Sequence, residues 1–577
     1  MIYVYCEGEQ MHKTFAGDKF FGNMKIAILS MIVTYSTSLL DYFLVGRAMG
    51  EEALQAFALL TPYLSIVFFV SCLISSGTAI MIAFEVGKGS RERGNLYFQQ
   101  GVILALGVGI LLSIALLLGG GWVLGNKSVP VDIRKMMNDY YLYICLLPVW
   151  HILNELLFSV IWNAGGDIYC VISLGVKLVI NIAASVLLMS YIGIGGTGLG
   201  TIFGCICSLL VFPFYFRSKQ NVFQWGWHFD IRSVFKMFHF SIRDAMIYLY
   251  MAAIQFLMNA YLMYRYGGQA VLIFSVIMNL ENLYLTVFDS PGDAVSVILT
   301  VFVGEGNRRG ILKSMKAAEK TAMIEGIVTM LILLIFSEQI PLIFGITGVE
   351  NIHMIAVAVR IFAIGALVFP IIMLFSTYYL AIERVFLSVE MMTMQILVAP
   401  LVSGVLLSIP FGLTGVWIGL CMGSVVMLFI DALILKIRHS DRTFPYLLNK
   451  EKLKKQLSYD VPISQEGVMS LVNQVETDLT KRGIEQKKIY RIMLMIEETE
   501  MLVVERNRER GGIIQCDLFM EDPIRLVLRD SGLYSDITDQ DGVAESFRAY
   551  TATMIGSNYG ANQYLLTWGN NRTVCTF

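Results

Sequence analysis

The chain says the same thing twice. Gly50, Ala53, Gly87, Gly89 and Arg91 recur as Gly267, Ala270, Gly304, Gly306 and Arg308, each 217 residues further on. Later landmarks continue at that spacing: Ala164 with Ala381, Gly195 with Gly412, Thr197 with Thr414 and Gly198 with Gly415. A single constant shift predicts two copies of one architecture joined without gaps, and such a repeat restricts the fold more than any short motif does.

What each copy is made of follows from its polarity. Of 577 residues, 56% are hydrophobic and only 15% charged, with a mean hydropathy of +0.65. A soluble domain has roughly 45–50% apolar and about 25% charged residues. The excess predicts a chain that lives in a lipid bilayer. Basic residues are few and scattered, so no nucleic-acid partner is expected. The nine cysteines have neither metal-site nor disulfide-framework spacing and fall mostly in apolar runs. The first twenty or so residues lack the basic end and apolar core of a cleaved signal peptide.

A bilayer-spanning helix needs about 20 apolar residues. Such stretches begin near 24, 55, 95, 138, 168 and 196, and again near 241, 272, 312, 355, 385 and 413. Twelve spans are predicted, six per copy. An even number per copy makes both copies enter the membrane in the same sense, which is a parallel repeat. The fold class is thus a mainly α membrane protein of two parallel six-helix repeats, plus a small α/β cytosolic domain. The boundaries are an N-terminal tail 1–23, bundles 24–217 and 243–438, linkers 218–242 and 439–458, and the domain 459–577.

Lys and Arg concentrate in the loops after even-numbered spans, including Lys88, Arg91, Arg93, Arg217, Lys219, Arg308 and Arg309. The richer side faces the cytoplasm, so both termini are expected there. Trp225 and Trp227 place the first linker either at headgroup depth or in a packed loop. From 459 charges become frequent. QEGVMSLVNQVETDLTKRG and KKIYRIMLMIEETEMLVVERN carry helical periodicity. IIQCDLFMED and IRLVLRD alternate as strands about Asp522-Pro523, and NQYLLTWGNNRTVCTF reads as a hairpin.

Ionisable groups inside spans are costly and mark function or a buried partner. Asp41 lies in mid-span with only Thr, Ser and Tyr near it. It can load and release a proton or pair with Na+, or simply pack by hydrogen bonding near a helix end. Glu281, Asp289 and Asp293 share the eighth span at spacings of eight and four, on one helical face, with Pro291 expected to bend it. They fit a water-filled cavity that draws cations, or an aqueous mouth. Glu155 stands one turn from His151 beside Asn154, too few ligands for a metal and better read as a polar face in the bundle. Glu325 and Arg360 form either a structural pair or part of the transport path. Glycines 87, 89, 304 and 306 are expected to end helices with positive φ. No phosphate-binding loop is present.

Residues 15–440 resemble the multidrug and toxic compound extrusion (MATE) family. The carrying features are DYFLVGRAMG at Asp41–Gly50, GKGSRER at Gly87–Arg93, NAGGD at Asn163–Asp167 and the glycine-rich turn Gly193–Gly198. The resemblance implies a secondary antiporter of a bacterial inner membrane, driven by Na+ or H+, exporting organic and often cationic compounds. Carried over by position, Asp41, Asn181 and Thr201 form its cation-coupling site. Ser185 stands where the family often has a second acid, and Met258 stands opposite Asp41 in the repeat. Glu155, Glu281, Asp289 and Asp293 are the expected substrate-cavity residues.

The tail resembles a degenerate histidine-kinase-type ATPase domain of the anti-sigma serine kinase branch. Glu498 matches the acid of its E-x-x-x-N helix, but Leu502 replaces the Asn. Asp530 and Gly532 match its D-x-G-x-G element, but Tyr534 replaces the second Gly. FRAYTATMIGSNYGANQYLLTW matches its last helix and strands. The resemblance implies a nucleotide-binding fold that has lost catalysis, so no enzyme, with no cofactor beyond the coupling ion and a cytosolic regulatory protein as partner of 459–577. Two other readings stand beside the antiporter: a lipid-linked precursor flippase of the same superfamily, and a membrane-anchored sensor or signalling protein.

Overall fold

A computed structural model describes residues 14–49, 51–124, 131–343, 348–438, 442–507, 511–533, 563–567 and 570–577. In lipid the backbone must satisfy its own hydrogen bonds, so the apolar stretches fold as long helices. In the first half these are α1 (Phe15–Met49), α2 (Glu51–Gly87), α3 (Arg91–Leu124), α4 (Val131–Asn163), α5 (Asp167–Ile192), α6 (Gly195–Leu209) and the short α7 (Phe212–Phe216). The second half has α8 (Ile231–Tyr266), α9 (Gly268–Phe288), α10 (Ser290–Glu305), α11 (Arg308–Ile335), the short α12 (Ile340–Ile343), α13 (Val349–Gly365), α14 (Phe369–Ala381), α15 (Val385–Thr393), a π-helical turn (Met394–Val398) and α16 (Ala399–Arg438). Among the described residues seven helices are long and apolar enough to cross a bilayer, or eight if the α13–α14 pair, bent by 41°, is one span.

The halves repeat one another, but the spacing drifts. Gly89 and Gly306, both at positive φ, are 217 apart. The next matching turn pairs Gly165 with Glu383, also both at positive φ and 218 apart. Gly193 (φ 60°, ψ −140°) then matches Gly412 (φ 59°, ψ −144°), 219 apart. The sequence expectation of a gapless shift is therefore corrected. Gly412 pairs with Gly193 and not Gly195, and Gly415 packs on Leu407 as Gly196 packs on Leu188, also 219 apart. The second extra residue falls in the stretch that contains the π turn. A π turn bonds i to i+5 and so absorbs one residue within a helix.

Of the four glycines expected at positive φ, Gly89 and Gly306 have it and Gly87 and Gly304 do not. The latter two serve a close crossing instead. A Cβ on either would come to 3.0 Å from the other's Cα, so the backbones of α2 and α10 meet there with no side chain between.

The apolar core shows how the halves sit. One buried cluster draws from both halves, including Phe84, Phe98 and Ile161 with Phe302, Ile311 and Tyr378. Toward the α1–α2 and α8–α9 turns the core splits. Val45, Ala53, Leu60 and Tyr140 pack within the first half alone, and Leu262, Ala270, Phe274 and Val359 within the second alone. The halves are joined at the Gly87–Gly304 end and separate at the other.

The linker is a packed loop. Gln99 and Gln100 of α3 donate to Gln224 O and Asp230 O at 3.1 and 2.7 Å, and Trp225 lies on Phe98 and Phe216. Trp227 is 90% exposed.

After α16 comes a small hairpin, β1 (Arg442–Thr443) and β2 (Leu448–Asn449), then the short α17 (Lys450–Lys454). The tail proper has β3 (Gln456–Pro462), α18 (Gln465–Lys481), α19 (Gln486–Arg506), β4 (Ile513–Phe519), β5 (Arg525–Asp530), β6 (Gln563–Thr567) and β7 (Asn570–Thr576). Its strands form one antiparallel sheet in the order β3-β4-β5-β7-β6. The apolar stripe of α18 (Val468, Leu471, Val475, Leu479) and that of α19 (Ile489, Ile492, Ile496) bury against Ile514, Cys516, Leu526 and Leu528 of the sheet. Both helices and all four strand stretches lie where periodicity placed them, and β3 begins three residues before the expected boundary. Most of FRAYTATMIGSNYGANQYLLTW lies outside the described residues.

Candidate functional site

Two polar centres lie inside the helical bundle. The first is built where α6 packs on α5. Gly204 lets the helices approach: a Cβ there would stand 2.8 Å from Lys177 O and 3.2 Å from Asn181 Cβ. That closeness brings Thr201 to Asn181, whose Nδ2 donates to Thr201 Oγ1 at 3.0 Å. Thr201 Oγ1 in turn donates to Asp41 Oδ2 of α1 at 3.4 Å. Asp41 is 7% exposed. Among the described residues Asp41 Oδ1, Asn181 Oδ1 and Ser185 Oγ are buried without a hydrogen-bond partner. A buried polar atom with no partner is costly, and here three oxygens are left over, one on α1 and two a turn apart on α5. Such a set of hard oxygens can hold a proton or a small hard cation. Among the described residues the second half shows no acid bonded into a matching centre at the position equivalent to Asp41. Met258, 217 residues after Asp41, is fully buried and reaches to 3.6 Å from where a Cβ on Gly404 would stand.

The second centre lies between the halves. α9 stops at Phe288, Asp289 is the single residue between the helices, and Pro291 lies in the first turn of α10. The eighth span is thus interrupted, as Pro lacks the N–H that would continue the helix. Arg243 of α8, 3% exposed, gives Nη1 to Asp244 Oδ1 at 2.6 Å, Nε to Ser376 Oγ at 3.1 Å and lies 3.7 Å from Asp289 Oδ1. Asp293 lies within electrostatic reach of the same guanidinium. Ser76 of α2 donates to Asp244 Oδ2 at 2.5 Å across the junction of the halves. Ser76 and Asp293 are themselves 217 apart, as are Cys72 and Asp289, so equivalent positions of the two halves meet in this cluster. Glu281 is not part of it. It is buried, and none of Arg243, Asp244, Asp289 and Asp293 acts on it electrostatically, the break after Phe288 ending the shared helical face.

Glu155 faces a cation that the sequence reading missed. Lys177 Nζ of α5 stands 2.8 Å from Glu155 Oε1, and His151 stacks edge-on against Phe68 at 5.0 Å between centroids. Asn154 turns the other way to Ser208 Oγ at 2.8 Å. No Glu325–Arg360 pair forms. Ser290 Oγ reaches Glu325 at 3.4 Å, while Arg360 bonds Ser337 and Glu338 at 2.9 and 2.8 Å. Arg243, Asp244 and Lys177 carried a legible signal: charges inside apolar runs, in FSIRDAMIYLY and VKLVIN. No cluster of three or more potential metal ligands occurs among the described residues.

In the tail, Asp530 and Gly532 form a tight turn in which Asp530 Oδ1 accepts from Gly532 N and from Asn571 Nδ2, both at 2.9 Å. Asn507 Oδ1 accepts from Leu533 N at 2.9 Å. Burial raises Asp530 to about 6, against the pull of the Asn571 hydrogen bond. Glu498 is half-buried on α19 and has no bond to this turn. The acid that points inward is Glu500, 1% exposed and raised by burial and then by Asp530. Asn507 and Asn571 belong to no short motif, because their partners are distant in sequence.

A family model for MatE matches residues 27–187. The structure is similar to that of a MOP-superfamily transporter from Pyrococcus furiosus, at 16% identity over 75% of this chain and 98% of that one, with a TM-score of 0.68. It is equally similar to a multidrug-resistance MATE transporter of that superfamily in its outward-facing conformation, at 17% identity, 74% and 97% coverage and a TM-score of 0.68. A MATE structure in complex with MaL6 gives 16%, 74%, 97% and 0.68. No curated protein matches the sequence. Residues 27–187 therefore match the MatE family model, in a chain with seven or eight helices long and apolar enough to cross a membrane among the described residues. Its helical region has the MATE transporter fold, which ends before the tail.

Proposed function

We propose that the chain is a secondary active transporter that exports organic compounds, probed best as cations, in exchange for Na+ or H+. Both termini lie in the cytoplasm of a bacterial cell, and the helices make twelve spans. The break at Gly412 divides the last apolar rod into two spans, the bent α13–α14 pair makes one, and α1, the interrupted α9–α10 pair and α11 add three that length and polarity alone do not count. One observation carries the reading: Asp41, Thr201 and Asn181, from three helices, meet in one bonded chain inside the bundle with carboxylate and amide oxygens to spare. The acids around Arg243 give a second charged centre at the junction of the halves, where a solute can be held while the halves rock. Glu498, Asp530 and Gly532 are read as the remnant of a nucleotide site in a domain that regulates rather than hydrolyses.

The test is reconstituted transport of a dye cation under separately imposed Na+ and H+ gradients. One gradient is expected to drive uptake into inside-out vesicles, and Asp41→Asn to abolish it. Transport that ignores both gradients, or that survives Asp41→Asn, would remove the coupling role. Movement of an amphiphilic lipid in place of the dye would favour the flippase.

A further inference from the structure

The tail touches the helices through buried charge. Glu305, the last residue of α10, is fully buried and takes an ion pair from Arg529 Nη2 and another from Arg572 Nε at 2.8 Å. Arg529 also reaches Asp517 Oδ2 at 2.8 Å. Burial works against the Arg529 cation, and Glu305 and Asp517 overcome it, so its pKa is raised. The surrounding backbone is held as well: Arg525 Nη2 donates to Glu305 O and Gln456 Nε2 to Gly306 O, both at 2.6 Å.

Two tail residues reach both halves at once. Arg572 pairs with Glu305 of the second half and donates to Gly87 O of the first at 3.4 Å. Asp460 accepts from Lys313 Nζ of α11 at 2.5 Å and from Phe15 N of α1 at 3.0 Å. Gly87 and Glu305 flank the point where the backbones of α2 and α10 cross, the joined end of the molecule. Opening at that end has to pull Gly87 away from Gly304, and so has to break one side of each bridge.

We infer that the C-terminal domain is a clamp on this end of the bundle. It holds the two halves together through Arg572 and Asp460, and the halves part on its side only when it lets go. The role presupposes a transporter whose ends open in turn, as proposed above. It is a structural device, independent of whether the domain binds nucleotide.

The test reads the gap between the halves directly. Spin labels at R93C of α3 and K316C of α11, both exposed, are placed in full-length protein with its native cysteines replaced. The unmutated clamp is expected to give one short distance. E305Q, and separately D460N, are expected to raise the fraction of a longer distance about tenfold, a typical size for coupling between sites. D460N acts on a different strand from Arg529 and Arg572 and keeps the test open should E305Q fail to fold, as judged by gel filtration. An unchanged distribution in the folded variants overturns the clamp. Dye transport is measured in the same samples. A longer distance without transport in any form supports the clamp and counts against the transport reading, whereas normal transport with an unchanged distance overturns the clamp alone.

Discussion

Arg243 faces three carboxyl groups, those of Asp244, Asp289 and Asp293. Its guanidinium is the cation they share, and it also donates to Ser376 Oγ and Met373 O. Removing one partner of a buried ion network leaves an uncompensated charge, which costs roughly 3–5 kcal/mol. Arg243→Leu is therefore expected to lower the melting temperature of the detergent-purified protein sharply. Arg243→Lys keeps the charge but loses the fork that spans Asp244 and Ser376, and should fall between. A variant as stable as the parent would show that the acids are protonated or solvated without it. In the tail, Asp530 offers a pH signature. Its folded pKa of about 6 lies above the ordinary 3.8, so the folded state holds a proton that the unfolded state has released. Stability from this group is present below about pH 4 and is lost as pH rises to about 6, on the order of 2–3 kcal/mol in all. In Asp530→Asn that part of the pH dependence should vanish, which unfolding at a series of pH values checks. Equal slopes in both proteins would mean that Asp530 titrates normally.

Among the elements, the π turn at Met394–Val398 has a simple origin. Upstream of it the repeat spacing is 218, downstream it is 219. One residue was added to a helix whose two ends were already fixed by packing, so the helix widened locally and did not rotate everything beyond it. Deleting Leu397 is thus expected to restore a regular helix and leave a folded protein. Deleting Leu387, in the regular helix α15, should misalign Ser388 from Ser376 and prevent folding. Size-exclusion profiles of the two deletions decide this, and equal behaviour would sink the account. The same drift shows what was legible in sequence and what was not. The glycines of both halves were visible, but their pairing depended on backbone angles. Gly193 and Gly412 share an unusual φ/ψ combination, whereas Gly195 and Gly412 share only a letter. Helices and strands of the tail were legible because each has its own apolar period.

At the scale of the whole molecule, the split core makes the two ends unequal. One shared apolar cluster closes the Gly87–Gly304 end, and two separate clusters line the other. The tail caps the closed end only. Sequence by itself determined the duplication, the lipid environment, the helices of each half and the acid in mid-span, because each is a local property of composition and period. Asp41, Asn181 and Thr201 were placed together by family resemblance, and the fold does bring them into one bonded chain. Only tertiary structure decided that Glu281 stands apart from Asp289, that Arg243 and Lys177 sit opposite the acids, and that Glu305 is buried under the arginines of a distant strand. Those partners lie up to 267 residues apart, as Glu305 and Arg572 do. No periodicity reaches that far, and a charge in the chain does not announce which opposite charge the fold will bring against it.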